Sequence, residues 1–511
     1  MQASTIGPVQ AEERIKTIDI IRGFALFGIT IINFTVDSNN IAPWEGWSGF
    51  SDQLAFWTIG VFMDNKFMSI YCFLFGLGFT LQMQRAKTRN TSFTFVYIRR
   101  MVILYLIGAT QLIFTNNSIL TVYAMYGVLL LLFWKLPLKL LPVFALICFF
   151  APWVRVSINQ YQSQPSSEII STVSIDSSLL NKYEGVYEFS PGRRVIMTVN
   201  SKGLMSQGRG GQVPLVALSQ TEFLAKKAGV KFLFISDSAG MVTEVILQQG
   251  NDKTPARKIE MAIQQATEEM SPKRATTYSE FIKKNATKFW KDLKSWSWKD
   301  FIWHTEFVAQ VMVLFLLGMY AGRRKVFLDI PTNRKFLNKI MYIGIILGFI
   351  FTFINFGWDA LQYANNLSED NLSFFSAQFI QWSGRLGFLL LALGYIAGIT
   401  LLAEQVNWKK RLAFFAPVGR MGLTNYILHS VAITLIFPAF SLGLGGKIGC
   451  FYRLLIAIPV CVLFYLLSRW WFKHFSIGPA EWLWRSLTYL KFQPMRLKAS
   501  DKTEEKEIGN M

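Results

Sequence analysis

Asp19 and Arg22 stand three residues apart in the run IDIIRG, a spacing that puts both side chains on one face of a helix. Two readings stand. The pair is a local ion pair at the end of an apolar span, or Arg22 faces a pocket and binds an anionic group, since a planar guanidinium matches phosphate oxygens. A second set lies in PVGRMGLTNYILHS, Pro417 to Ser430. Arg420 falls at the mouth of an apolar segment, Thr424 one turn deeper, and His429 further on. At 1.5 Å per residue His429 lies roughly 15 Å into the segment, near the middle of a bilayer. An imidazole there is either a satisfied structural group or a proton relay, because it titrates near neutral pH. Gln111 has a comparable depth in its own segment, and its simplest role is a hydrogen bond between helices. Asp64, Lys66 and Arg385 read as snorkelling residues or as the lining of a pore mouth, with snorkelling preferred. The glycines of CFLFGLGF, Cys72 to Phe79, read as a close helix contact.

The elements that must position these residues are membrane spans. Apolar runs near the roughly 20 residues needed to cross a bilayer are expected at about 18–36, 67–83, 101–114, 119–134, 140–154, 307–321, 340–356, 384–403, 418–437 and 454–472. MDNKF, Met63 to Phe67, should separate a lip helix from the second span. Lys and Arg cluster at alternate ends: Arg85, Lys87 and Arg89, then Lys135 and Lys139, then Arg323 to Lys325, then Lys409 to Arg411, then Arg469 and Lys473. By the positive-inside rule those ends are cytosolic. About ten spans with both termini inside a bacterial inner membrane result, the first span being retained rather than removed as a signal peptide.

Composition agrees. Of 511 residues 52% are hydrophobic and 16% charged, against about 25% charged in a soluble domain. The net charge of +20 is concentrated in the short loops, so nucleic acid is not an expected partner. The four cysteines all lie in apolar runs, and no metal-ligand spacing, phosphate loop or nucleophile elbow is present, so no metal and no nucleotide-driven step is expected.

The segment between the two membrane halves has another texture. From about Ser178 to Ile259, stretches such as RRVIMTV, KFLFIS and GMVTEVILQQ alternate between turn residues and read as antiparallel strands. The fold class is therefore an all-α polytopic membrane bundle with an inserted antiparallel β domain, placed on the outer face by the charge rule. The expected organisation is a membrane half at 15–155, the β domain at 171–273, an amphipathic interfacial segment rich in Lys and Trp at 277–303, a second membrane half at 304–492 and a cytosolic tail at 493–511.

Four stretches in order, IDIIRGFALFGITIINF, NKFMSIYCFLFGLGF, VGRMGLTNYILHS and GPAEWLWRSLTYL, resemble the YeiB family of bacterial membrane proteins. That family is similar to a broader group of transmembrane acyltransferases, which includes the lysosomal heparan acetyltransferase. The resemblance implies an acyl-CoA donor taken from the cytosol and an outer glycan or lipid acceptor. It assigns Asp19 and Arg22 to the first motif and Arg420, Thr424 and Asn425 to the later one. It also implies a histidine in the third helix, where this chain has Gln111, while His429 stands where a glutamine is commoner. An exchange of the two roles between facing helices, or loss of activity, would follow. On the enzyme reading Arg22 and Arg420, with Asp19 and Thr424, hold the donor; His429 is the general base; Asn425 or Gln111 steadies the oxyanion. The insert resembles the small β domain appended to serine hydrolases of the β-lactamase group. Against the enzyme stand a transporter or flippase of an anionic or amphiphilic solute, and a sensor or scaffold with an inert bundle.

Overall fold

The computed structural model describes residues 14–35, 49–88, 93–163, 177–190, 193–200, 203–208, 211–225, 230–249, 252–270, 277–295, 305–365, 374–445 and 447–496. Most of the segment expected as an outer loop from Asp37 to Gln53, the end of the interfacial segment and the tail beyond 496 lie outside the described residues. The chain divides into two compact units, Met1–Ser157 with Thr276–Met511, and Ile158–Ala275.

The larger unit is helical. Its first half holds α1 (Lys16–Thr35), α2 (Phe50–Phe62), α3 (Lys66–Thr88), α4 (Thr94–Thr115), α5 (Leu120–Phe133) and α6 (Leu140–Ser163). Its second half holds α7 (Tyr278–Ser295), α8 (Thr305–Arg323), α9 (Ile330–Asn365), α10 (Phe374–Glu404), α11 (Ala416–Arg420), α12 (Gly422–Ile436), α13 (Cys450–Phe472) and α14 (Pro479–Tyr489). Among the described residues six stretches are long and apolar enough to cross a membrane: Lys16–Thr35, Phe50–Thr88, Thr94–Thr115, Ile330–Trp358, Gln378–Glu404 and Cys450–Phe472. Four shorter apolar helices, Leu120–Phe133, Leu140–Pro152, Phe307–Arg323 and Gly422–Ile436, fall where the remaining spans were expected. The chain is a multi-pass membrane protein.

Helix contacts are made through glycine, which lets backbones approach closely without a hydrophobic driving force. A Cβ at Gly76 would stand 1.9 Å from the carbonyl oxygen of Phe315, and one at Gly318 would stand 2.0 Å from that of Phe73. This locks α3 to α8 and explains one of the two glycines in CFLFGLGF. The break expected near MDNKF is a turn at Met63–Asn65, where Asn65 takes a left-handed φ of 58°. Lys66 does not snorkel: its side chain is fully buried, donates to the Gly60 carbonyl at 2.6 Å and lies 4.8 Å from the centre of the Phe388 ring. A buried ammonium needs such a partner, and the turn supplies it. Helix α7 carries Lys283, Lys284, Lys288 and Lys291 on one side, while Tyr278 and Asn285 bond the Phe114 and Ile113 carbonyls at the end of α4.

The span expected at 418–437 is broken at Met421 into α11 and α12. The freed amides of Leu423 and Thr424 donate instead to the Glu481 carboxylate, at 2.6 and 3.3 Å. An anion at a helix N-terminus is favoured both as a cap and by the backbone dipoles.

The smaller unit is a nine-stranded antiparallel sheet in the order β4-β3-β2-β1-β9-β8-β7-β6-β5. Strands run from β1 (Gly185–Ser190) to β9 (Asp252–Ile259), and the edge strands β4 (Gly211–Pro214) and β5 (Val216–Ala217) are consecutive, so the sheet is nearly closed. Its core includes Tyr183, Tyr187, Phe223, Phe234 and Val245, with the Tyr187 hydroxyl bonded to the Tyr183 carbonyl at 2.8 Å. Ser206 is buried, whereas Ala239 sits in an exposed turn organised by Asp237.

Residues 158–275 expressed alone should give a strand-dominated circular dichroism spectrum and a cooperative melt. Phe234→Ala, at a fully packed position, should lower the stability of that fragment by about 3–5 kcal/mol. A disordered spectrum for the wild-type fragment would remove it as an independent domain.

Candidate functional site

Gly23 and Gly419 bring α1 and α11 together at the closest approach in this region. A Cβ at Gly23 would stand 1.9 Å from the Phe415 carbonyl oxygen, and one at Gly419 would stand 1.9 Å from that of Asp19. The crossing places Arg22 and Arg420 at one mouth. Arg22 bonds Asp19 at 3.3 Å, so the ion pair foreseen from their spacing is made, and Arg22 also lines a cavity. The second glycine of CFLFGLGF, Gly78, leaves room for this guanidinium: a Cβ there would be 3.9 Å from its Nη2. The Arg420 guanidinium lies 4.0 Å from the centre of the Phe472 ring.

The cavity measures about 530 Å³. Arg22, Arg100, Arg420 and Arg485 line one end, contributed by α1, α4, α11 and α14. An adjoining pocket of about 160 Å³ shares these four arginines and adds Arg14 and Arg85. Arg100 stacks 3.8 Å from the Trp484 ring centre, and the Trp484 indole bonds the Arg100 carbonyl at 2.9 Å. Burial, and after it the Arg14 and Arg100 charges, push Arg485 down to about 10. A cluster of perturbed like charges lining a cavity is a candidate ligand site. The middle of the cavity is lined by Leu74, Phe75, Met101 and Tyr123, and the far end by Asn33, Asp64, Asn65, Asn117 and Ser118. From Met68 to Gln82 along α3 the lining extends about 20 Å at 1.5 Å per residue. Asp64 therefore lines a mouth, contrary to the snorkelling expected of it.

The other residues singled out from the sequence lie behind this wall. His429 is fully buried and does not line the cavity. Its Nδ1 donates to the Tyr426 carbonyl, which leaves Nε2 to accept from the Asn33 amide at 2.8 Å. Asn33 thus stands between the imidazole and the cavity. Gln111 donates to Ser430 at 2.8 Å and accepts from Ser118 at 3.3 Å, the interhelical bond its position suggested. Asn425 donates to Ser468 at 2.8 Å and to the Val418 carbonyl at 3.3 Å. The Thr424 hydroxyl donates to Glu481 at 2.6 Å and accepts from the Ala480 amide at 3.0 Å.

Four residues of the site escaped the sequence reading: Asn33, Arg100, Arg485 and Glu481. Three of them lie inside the stretches that carry the resemblance, and Arg100 lies in YIRRM, at the start of an expected span. A carboxylate in PAEW, next to two arginine-bearing apolar segments, was the one available signal.

Residues 14–171 match the catalytic family described as heparan-alpha-glucosaminide N-acetyltransferase. Residues 321–491 match a family described as a protein of unknown function, DUF418. The two matches fall on either side of the β strands, Gly185–Ile259. An uncharacterized protein YxaH of Bacillus subtilis is 24% identical over 97% of this chain and 99% of its own length. An uncharacterized protein from the amylase 3′ region of Bacillus acidopullulyticus is 21% identical over 96% and 98%. The uncharacterized protein YeiB of Escherichia coli is 37% identical over 21% of this chain and 28% of its own. No solved structure matches.

Gly419→Ala should lower the thermal midpoint in detergent, because a backbone oxygen cannot yield as a side chain can, at a cost of about 1–3 kcal/mol. Glu481→Ala should cost about 0.5–2 kcal/mol through the lost cap, and Glu481→Gln less, since one carbonyl oxygen remains to accept from Leu423. Equal effects of the two Glu481 substitutions would contradict the capping role.

Proposed function

We propose that the chain, which is similar to YeiB-like and acyltransferase-related membrane proteins, is a membrane-embedded acyltransferase that moves an acyl group from cytosolic acyl-CoA to a glycan or lipid hydroxyl on the outer side. One observation carries this reading: four arginines from four helices line one end of a cavity whose other end is amide- and carboxylate-lined. Guanidinium groups in a water-poor site bind phosphate oxygens strongly, in forked geometry. The CoA phosphates occupy the arginine end, in the cytosol by the charge rule, and the pantetheine arm runs along the apolar middle. The thioester then reaches Asn33, Asn117 and Ser118.

At that point His429 serves as the general base. Its tautomer already leaves the Nε2 lone pair on the side of Asn33, so a substrate that draws Asn33 aside exposes it. The acceptor hydroxyl gives its proton to Nε2 as its oxygen attacks the thioester carbon; the carbon–sulfur bond breaks, and the proton passes to the departing CoA thiolate. Proton transfer of this kind is worth about 10²–10⁴-fold in rate. The Asn33 amide, released from the imidazole, donates to the developing oxyanion. Gln111 and Asn425 act one layer back, holding Ser118 and the α11–α12 break in place. The β unit lies on the outer side and the tail in the cytosol.

A transporter of an amphiphilic anion would use the same two-ended cavity without chemistry, and the same experiment separates the two. Purified protein should bind acyl-CoA and transfer the acyl group. Arg22→Ala and Arg420→Ala should each weaken binding by about tenfold or more, the loss of one charge-assisted contact. His429→Ala should spare binding and reduce transfer at least about a hundredfold. Binding without transfer in the wild type favours the transporter, and no binding removes both the donor and the enzyme.

The orientation has its own test. A cysteine introduced at Ala239 should react with a membrane-impermeant thiol reagent in intact cells, and one introduced at Ala499 should react only after permeabilisation. The reverse pattern would invert the topology and with it the direction of transfer.

A further inference from the structure

Tyr71, Tyr97, Tyr123 and Tyr426 all line the arginine-ended cavity. Two of them give their hydroxyl proton to the protein. Tyr97 donates to the Gly127 carbonyl at 3.0 Å, and Tyr123 donates to the Met68 carbonyl at 3.4 Å while accepting from the Cys72 thiol. The other two do not. Among the described residues the buried Tyr71 hydroxyl meets no hydrogen-bond partner, and Tyr426 accepts from the Ile119 amide at 2.8 Å but donates to none. Buried hydroxyls left this way are rare and call for a cause, because an unmade bond there costs about 1–3 kcal/mol. The two border one stretch of the cavity. A Cβ at Gly422 would stand 3.3 Å from the Tyr71 hydroxyl oxygen. Gly422 and Tyr426 both belong to α12, four positions apart, hence on one helix face and about 6 Å apart along its axis. Ile119, which Tyr426 holds, directly follows the Asn117 and Ser118 of the amide-lined end.

We propose that this stretch receives a ligand whose middle carries amide carbonyls, with the Tyr71 and Tyr426 hydroxyls as their donors. The inference rests on the acyl-CoA reading of the cavity, in which these are the two carbonyls of the pantetheine arm, one β-alanine unit apart. The walls select for such an arm. Leu74, Phe75 and Met101 offer it apolar sides, and the two hydroxyls interrupt them with donors that lack acceptors. A methylene chain laid across these hydroxyls would displace water and replace none of its bonds, which loses affinity. A carbonyl at each would pair a donor that the protein leaves unpaired. The tyrosines thus tell a CoA-like ligand from a plain alkyl phosphate, a difference that the arginines cannot read, since both ligands bring an anion.

The test uses the full chain in detergent, titrated calorimetrically with CoA and with adenosine 3′,5′-bisphosphate, which lacks the arm. Tyr71→Phe should weaken CoA binding about three- to tenfold, the contribution of one neutral hydrogen bond, and change the bisphosphate affinity by less than about twofold. Its thermal midpoint without ligand should be unchanged or raised, because the deleted hydroxyl has no partner to lose. A hydroxyl with a purely structural role would lower the midpoint and spare CoA. Tyr426→Phe should weaken CoA by a similar factor and also lower the midpoint, since the Ile119 amide loses its acceptor; Tyr71→Phe, which carries no such loss, decides the matter if Tyr426→Phe does not fold. Full CoA affinity in Tyr71→Phe, an equal loss for both probes, or a lowered midpoint would overturn this assignment and leave the donor reading standing. Absence of CoA binding in the wild type would overturn both.

Discussion

The approach of α1 to α11 at Gly23 and Gly419 is the contact on which the site depends. With a Cβ at either position, a side-chain carbon would fall within 2 Å of a carbonyl oxygen, far inside any tolerable contact. The two helices would have to separate, and Arg22 and Arg420 would separate with them. The same crossing explains why α11 is so short. Its chain arrives in close contact with α1, breaks at Met421, and restarts as α12. The restart exposes amides that have no carbonyl behind them, and in lipid those amides cannot turn to water. Glu481 of α14 receives them, and Thr424 bonds the same carboxylate. One small residue thus requires one buried acid, and the acid fixes the helix that carries Arg485 into the same mouth.

Behind the cavity wall the buried polar groups come as pairs: Gln111 with Ser430, Asn425 with Ser468, His429 with Asn33. A single amide or imidazole in this environment would cost several kcal/mol. Each pair joins two different helices, so the polar interior holds the bundle's register. His429 shows the two uses in one residue. As placed it is satisfied at both nitrogens, and only displacement of Asn33 would make it a base.

Patterns local in sequence were readable, and those that depend on two segments meeting were not. The turn at Met63–Asn65, the antiparallel strands from Gly185 to Ile259 and the Asp19–Arg22 pair each declare themselves within a few residues, through turn chemistry, period-two alternation and helical spacing. Lys66 was misread because a lysine near a helix end ordinarily reaches for water, and nothing local shows that the Gly60 carbonyl and the Phe388 ring will enclose it. Arg100 and Arg485 passed unnoticed for the same reason. The sign rule that orients a helix treats every cytosolic-end arginine alike, and only packing decides that these two turn inward. The break at Met421 was hidden because the acid that permits it lies in α14, some sixty residues later.

Helix α3 borders two cavities. Met68 lines the one that ends in arginines and Ser69 a smaller one, of about 230 Å³, that Arg385 also lines; a helix of 3.6 residues per turn directs these successive residues about 100° apart. A charged cavity inside a bilayer keeps its dielectric character only while lipid stays out of it. About two turns further along, Gly76 and Gly318 press α3 against α8 with no side chain between the backbones. Close backbone packing is the one contact through which neither an acyl chain nor a water file can pass. The glycines therefore do two things with a single property: their lack of a Cβ brings α1 and α11 near enough to gather the arginines, and it holds α3 directly against α8.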